Sequence, residues 1–187
     1  MWSIQSYNAL DIHMVLLIWI IIAINCMEPF QAQPARISVN DLFVLYNSNI
    51  ARVKDVMASK GFKLSYDGEK FGKVQFYQWY HGRTSHNADA FMQRYVPENT
   101  EKNKWCDDCL EYIVYSANEF QKMKRYCELI KMKLKSSGQK DFTYDDSYIR
   151  DPGTFYIYQN DRFWVHFNIV QEDDKIAYKV LVRKNPE

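Results

Sequence analysis

The fold is indicated most clearly by the stretch Phe163-Trp164-Val165-His166-Phe167-Asn168-Ile169, because large apolar side chains occupy every second position in it. Such alternation predicts a β-strand that buries one side, here the odd-numbered residues. The last strand, Ile176–Val182, has the same pattern. Asn160-Asp161 precedes the quoted stretch and predicts a tight hairpin turn, since both residues tolerate a positive φ. The C-terminal part of the chain is therefore predicted to be an antiparallel meander.

Helical patterns precede the strands. Ser38 begins the first one, because Asp41 follows it at the third position, as in a capping box. A short helix through Tyr46 and a second helix over Ile50–Lys60 are predicted. Gly61 can adopt the left-handed conformation that ends a helix.

A longer helix is predicted in the second half of the chain, from Glu119 to Lys135. Its apolar stripe repeats at helical spacing and consists of Phe120, Met123, Cys127, Ile130 and Leu134. Between the first helices and this one, the sequence predicts three more strands, Lys73–Tyr80, Ala90–Val96 and Leu110–Tyr115.

The order of these elements indicates an internal duplication. Three pairs of short segments follow one another in both halves: Leu45–Asn49 with Val114–Asn118, Leu64–Asp67 with Phe142–Asp145, and Phe76–Gln78 with Ile157–Gln159. Because a repeat constrains the whole fold, the predicted fold class is α+β. It consists of two divergent repeats, residues 33–115 and 116–187, each a helix followed by an antiparallel β-meander. The helices are expected to pack on one sheet face.

A resemblance agrees with this organisation. The helix end at Lys60-Gly61-Phe62, the Tyr- and Trp-rich strands after it and the helix start Tyr115–Asn118 resemble small exported bacterial proteins of uncharacterised function. The resemblance covers most of the chain after residue 32. It implies the two repeats and export, and it implies no site residue, because the shared motif is structural.

An apolar segment near the N-terminus, Met14–Ile24, has eleven residues and no charge. A membrane-spanning helix needs about 20 such residues, whereas the core of a signal peptide needs about 7–15. We therefore predict a signal peptide over residues 1–32, with cleavage after Ala32, and a periplasmic or secreted protein. A buried N-terminal helix or strand is the alternative.

Two details of this N-terminal segment need explanation. No Lys or Arg precedes it, although signal peptides usually begin with positive charge. A translation start at Met14 would supply that charge through the free amino terminus. Asn25 stands where a lipoprotein signal needs a small residue, so lipid attachment at Cys26 is not expected.

Charge limits the range of partners. The chain has 24 basic and 23 acidic residues, and such an even balance does not suggest a nucleic-acid-binding protein, which carries a basic patch or stripe. Contact with a membrane is expected only through the apolar N-terminal segment, if it is not cleaved.

The one motif with a chemical interpretation is Trp105-Cys106-Asp107-Asp108-Cys109. A Cys-x-x-Cys pair after Trp is typical of thiol–disulfide oxidoreductases, so an envelope oxidoreductase using Cys106 and Cys109 is the alternative function. Against it, Leu110–Tyr115 alternates like a strand, and the acidic residues between the cysteines raise the thiol pKa. Cysteines outside the cytoplasm tend to pair. With Cys127, three remain after cleavage, and the sequence does not fix their connectivity.

No cofactor or metal site is predicted. Cys106 and Cys109 could join His81 and His86 as zinc ligands, but the histidines lack the spacing of a zinc finger. The acidic doublets lie in predicted turns or loops, where Asp is favoured for backbone reasons. Six glycines in the whole chain leave little material for a phosphate-binding loop.

The remaining feature is a sheet face, opposite the side that buries Phe155 and Ile157. Aromatic and basic side chains there are of the types enriched where proteins bind partners. We predict an exported, non-enzymatic binding module, such as an inhibitor or immunity protein, with a protein, peptide or carbohydrate ligand. Alternatively, the helices cover this face, or the aromatic residues merely suit strands. The expected binding residues are Tyr156, Tyr158, Trp164, His166, Lys179 and Arg183, with Tyr77 and Trp79 from the first half.

Overall fold

A computed structural model describes residues 37–97, 108–140, 153–172 and 174–185. These ranges contain three helices and eight strands, in the order α1 (Val39–Tyr46), α2 (Ile50–Ser59), β1 (Lys63–Phe71), β2 (Val74–Gly82), β3 (Ala88–Pro97), β4 (Cys109–Val114), α3 (Ala117–Leu129), β5 (Lys133–Lys140), β6 (Gly153–Gln159), β7 (Phe163–Glu172) and β8 (Lys175–Lys184). Helices and an antiparallel sheet together confirm the α+β class. The predicted signal peptide, the start at Met14, the cleavage site and Cys26 lie outside the described residues.

All eight strands belong to one antiparallel sheet with the order β1-β2-β3-β4-β8-β7-β6-β5. Strands β4 and β8 pair at its centre, where Glu111 lies opposite Leu181. Strands β1 and β5 form the two edges. The sheet thus consists of two meanders that meet along their last strands.

The helix starts follow the predicted capping chemistry. Ser38 Oγ accepts a hydrogen bond of 3.1 Å from the Asp41 backbone N–H, and the Asp41 carboxylate accepts one of 2.8 Å from the Ser38 N–H. Asn49 and Ser116 cap α2 and α3 in the same way through their side-chain oxygens. These bonds satisfy backbone donors that have no partner within a helix.

The predicted end of the third helix is wrong. Helix α3 ends at Leu129 rather than Lys135, because Lys131 adopts a left-handed conformation with φ of 59°. The Met132 N–H then donates to the Cys127 carbonyl and closes the turn, and β5 begins at Lys133. Leu134 extended the apolar stripe of the sequence, yet its side chain is exposed on that edge strand.

One cluster of buried side chains joins the helices to one set of strand positions, which we call the core face. The strand residues that define it include Trp79, Met92, Tyr112, Tyr158, Val165, Phe167 and Val180. Phe120 of α3 meets Phe167 edge to face, with ring centroids 5.4 Å apart. The Phe43 ring of α1 stacks on Phe163 at 4.5 Å. Burial of these aromatic rings supplies much of the packing stabilisation.

The opposite face consists of the alternate strand positions. On β7 and β8 these include Trp164, His166, Asn168, Lys179, Leu181 and Arg183. The predicted burial of Phe163, Val165 and Phe167 is confirmed, but His166 and Asn168 are buried as well. Strand β7 lies between β6 and β8, so neighbouring side chains surround even its polar residues.

Candidate functional site

The candidate site occupies the opposite face where β7 pairs with β8. Trp164 lies directly across from Arg183, His166 from Leu181, and Asn168 from Lys179. Because side chains of opposed residues in an antiparallel pair project on the same side, this register brings the polar side chains together. The face therefore contains one indole, one imidazole and two basic groups within adjacent pairs.

Two cationic groups approach the Trp164 ring. The Arg183 guanidinium carbon lies 4.3 Å from the ring centroid, and Lys135 Nζ lies 4.2 Å from it. Lys135 comes from the edge strand β5, at a register shift between Leu134 and Ser136. A shift of this kind adds a residue to one strand and re-aims its side chain. Contact with an aromatic face stabilises both cations.

His166 is buried beside this cluster, with 5% of its surface exposed. Its cross-strand neighbours are Ile157 on β6 and Leu181 on β8. Burial between apolar side chains lowers the pKa of His166 to about 3, and the nearby Arg183 charge lowers it further in the same direction. The imidazole is therefore neutral near neutral pH, and the positive charge of the site comes from Arg183 and Lys135.

Lys179 lies at the other end of the site. Its Nζ forms an ion pair of 2.9 Å with Glu172 Oε1. Burial raises the pKa of the nearby Tyr115 hydroxyl, as does the Glu172 carboxylate, with which that hydroxyl forms a hydrogen bond. The basic charge at this end is thus compensated within the protein.

The structure divides the expected binding residues between the two sheet faces. Trp164, His166, Lys179 and Arg183 lie together on the opposite face. The other four residues lie on the core face, which corrects our placement of them: Tyr156, Tyr158, Tyr77 and Trp79.

The register gives the reason for this correction. Tyr158 pairs with Val165 and Tyr156 with Phe167, so Phe155 and Ile157 project to the opposite face instead. These four residues of β6 are all apolar or aromatic, and the sequence therefore did not reveal which pair is buried. Tyr158 is 3% exposed, and its hydroxyl donates a hydrogen bond of 2.8 Å to Glu128 of α3.

One ionic cluster was not predicted from the sequence; in it Arg94 is buried and the Asp108 side chain is partly exposed. Arg94 on β3 forms an ion pair of 2.6 Å with Asp108, its guanidinium lies 4.8 Å from the Tyr46 ring centroid, and it donates to the Tyr46 carbonyl. Burial raises the pKa of Tyr46 to about 12, and the Asp108 charge adds to this. Its position was the available indication: Arg94 lies two residues after Met92, which is buried, so both side chains project from the same side of β3. The cluster fastens α1 to the sheet through the contacts of Arg94 with Asp108 and Tyr46.

The cysteines of the described residues are buried in regular elements. Cys109 is the first residue of β4, and Cys127 lies in α3. Burial raises the pKa of the Cys127 thiol to about 12, which disfavours the reactive thiolate. Cys106 lies outside the described ranges.

The described part of the chain holds neither a candidate metal site nor a helix that could span a membrane. No group of three or more His, Cys, Asp or Glu side chains there is arranged to hold a metal ion. Among the helices of that part, none has the length and apolar character needed to cross a membrane.

Comparisons of the chain with protein-family models, with curated proteins and with solved structures find no match.

Proposed function

We propose that the protein is an exported, non-enzymatic binding module and that the opposite face receives its ligand. The ligand is a protein, a peptide or a carbohydrate, and an inhibitor or immunity protein is the kind of function that fits. The apolar segment Met14–Ile24 supports export through its length and lack of charge.

A single observation carries the binding proposal, namely the group formed by Trp164, Arg183 and Lys135. Arginine and tryptophan are the residues most enriched among those that contribute strongly to binding. Here Arg183 is buried, with 5% of its surface exposed, and its guanidinium is held against the indole. A side chain fixed in this way loses little conformational entropy when a ligand binds, which favours affinity.

Neighbouring groups on this face support the proposal. His166 is neutral through its burial, and the charge of Lys179 is compensated by Glu172. Arg183 and Lys135 lie at one end of the site, beside the indole. A ligand with a carboxylate or another anionic group placed over a ring or apolar part matches this arrangement.

We propose further that the chain consists of two divergent repeats, with the helices packed on one face of the sheet. Lys63–Lys70 and Lys133–Lys140 have the sequences KLSYDGEK and KLKSSGQK, which share Lys, Leu, Gly and Lys at the same positions. In the sheet, Leu64 pairs with Trp79, and Leu134 pairs with Tyr158. Both edge strands have a register shift directly after this leucine.

The central strand pair supports the same proposal. Leu110 pairs with Val182, and Tyr112 pairs with Val180, on either side of Glu111 and Leu181. The step of 70 residues from Lys63 to Lys133 also leads from Leu110 to Val180 and from Tyr112 to Val182. Each of these residues therefore pairs with the counterpart of the other, as expected when two equivalent strands meet around a twofold axis. In this proposal Lys63–Lys70 corresponds to Lys133–Lys140, whereas the sequence pattern matched Leu64–Asp67 with Phe142–Asp145.

Site-specific crosslinking tests the binding proposal. A photoreactive amino acid at Lys179, on the opposite face, should capture a ligand from an envelope or secreted fraction of the source cells, whereas the same group at exposed Gln121 of α3 should not. Trp164→Ala and Lys135→Ala should weaken this capture without loss of the circular dichroism spectrum of the folded protein. Tyr158→Phe, a change on the core face, serves as the matched control and should capture normally. Equal capture from both crosslinker positions, or unchanged capture by both site variants, would refute the proposal.

A further inference from the structure

The turn between α3 and β5 carries a group of exposed apolar side chains. Leu129 is 76% exposed, Leu134 53% and Ile130 39%. Met132 lies between them and is buried, so it holds the turn against the core. Apolar side chains that are exposed as a group, rather than singly, mark an interaction site.

The same turn is basic. Lys131 and Lys133 are exposed, and exposed Arg125 lies one helical turn before Leu129. Both glutamates of α3 accept hydrogen bonds from tyrosines of the core face. Among the described residues, no carboxylate forms an ion pair with any of these three cations.

The backbone of this turn gives an independent indication. Lys131 is the one residue other than glycine that has a positive φ within the described ranges. The turn between α2 and β1 has the same hydrogen bond, from the Phe62 N–H to the Met57 carbonyl, but there Gly61 has the positive φ of 82°. A lysine in this conformation is less stable than glycine. Strained backbone positions of this kind are concentrated at functional sites.

From this group of residues we propose that the turn, defined by Leu129, Ile130, Lys131, Lys133 and Leu134, docks on an anionic lipid surface. Its leucines and isoleucine enter the boundary between headgroups and acyl chains, and its lysines contact lipid phosphates. The membrane contact expected from the sequence involved the N-terminal apolar segment alone, so this second contact goes beyond it. It is independent of ligand binding at the opposite face.

The composition of the turn favours lipid over an acidic protein as the partner. Lysine is depleted in protein–protein interfaces, and leucine is under-represented among the residues that dominate their affinity. Segments that bind at membrane interfaces instead combine lysine and arginine with leucine. The side chains of Leu129, Ile130 and Leu134 are exposed at this turn, as insertion between headgroups requires.

Sedimentation of the full chain with lipid vesicles tests this proposal. The vesicles contain phosphatidylcholine alone or phosphatidylcholine mixed with anionic phosphatidylglycerol. We expect the doubly substituted variant Leu129→Ser, Leu134→Ser to lower the partition into the anionic vesicles about tenfold. Lys131→Gly should lower it about fivefold, since each lysine near such a surface contributes roughly this factor. Leu64→Ser, at a similarly exposed leucine of β1, is the matched control and should leave it unchanged.

Lys131→Gly separates lipid binding from folding, because glycine relieves the positive φ and the variant should remain folded. Equal partition of all variants into both vesicle types would overturn the proposal, since binding would then come from another part of the chain. The proposal would also be overturned if the variants partitioned into vesicles like the wild-type protein but were no longer retained on immobilised polyglutamate. That result would identify an acidic polypeptide as the partner.

Discussion

Buried, neutral His166 should make the stability of the protein depend on pH. The pKa of His166 is about 3 in the folded state, against 6.5 for an ordinary histidine. Below pH 6.5 the unfolded chain takes up a proton that the folded chain does not bind, so acid favours unfolding. Stability from this group is complete above pH 6.5 and is lost as the pH falls from there toward 3. Between pH 7.5 and pH 5 the loss is about 2 kcal/mol, since each pKa unit corresponds to about 1.4 kcal/mol.

His166→Gln should remove this contribution. Urea unfolding of the wild-type protein and the variant, followed by circular dichroism at pH 7.5, 6.5, 5.5 and 5.0, gives the free energy of unfolding at each pH. Other titrating groups contribute equally to both proteins, so the difference between the two slopes isolates His166. We expect the wild-type protein to lose about 2 kcal/mol more than the variant over this range.

A control and a direct measurement make the result decisive. His86→Gln changes an exposed ring and should retain the wild-type slope. In a titration followed by NMR, the His166 ring protons should keep the chemical shifts of neutral imidazole down to pH 4. Parallel slopes for the wild-type protein and His166→Gln, or a transition of His166 near pH 6.5, would refute the placement of this residue in a dry, positively charged setting.

Three further substitutions test the packing that positions the site. Phe120→Ala removes a fully buried ring that meets Phe167, and it should lower the free energy of unfolding by about 3–5 kcal/mol. A loss below about 1 kcal/mol would contradict the core packing described for α3. Tyr158→Phe removes the hydroxyl that is hydrogen-bonded to Glu128. It should lower the free energy of unfolding by about 1 kcal/mol and leave ligand capture normal. A loss of capture at full stability would show that Tyr158 belongs to the binding face. Lys131→Gly should raise the free energy of unfolding by about 1 kcal/mol, and a decrease measured by the same urea titration would exclude the left-handed conformation.

The sequence predicts an element well where one strong local pattern has one structural outcome. The capping box at Ser38 and the alternation in Phe163–Ile169 are of this kind, and both are found where expected. Strands β1 and β5 escaped prediction because they are polar edge strands with a glycine each and largely exposed side chains. An edge strand needs little apolar alternation, since it buries few side chains.

The candidate site was predictable only in part, because it depends on the register between strands. Alternation along β7 and β8, which is visible in the sequence, places four residues on one face: Trp164, His166, Lys179 and Arg183. Strand β6 has aromatic or apolar residues on both of its faces, and only its pairing with β7 assigns Tyr156 and Tyr158 to the core face. A shift of one residue in register exchanges the two faces of a strand, so composition alone does not decide between them.

Lys135 shows a second limit of sequence patterns. Its contact with the Trp164 ring joins two strands that are distant in the sequence and not adjacent in the sheet. The register shift in β5 that accompanies this contact has no local sequence marker apart from the nearby Gly138.

We propose that the opposite face binds the ligand through Trp164. Once a ligand has been captured by the crosslinker at Lys179, the decisive measurement is its dissociation constant for the wild-type protein and for Trp164→Ala, determined by calorimetry on folded samples. We predict an affinity at least tenfold lower for Trp164→Ala, as expected when a central aromatic side chain is removed from a binding site. Equal affinities for the two proteins would contradict the account and would place the binding surface elsewhere on the molecule.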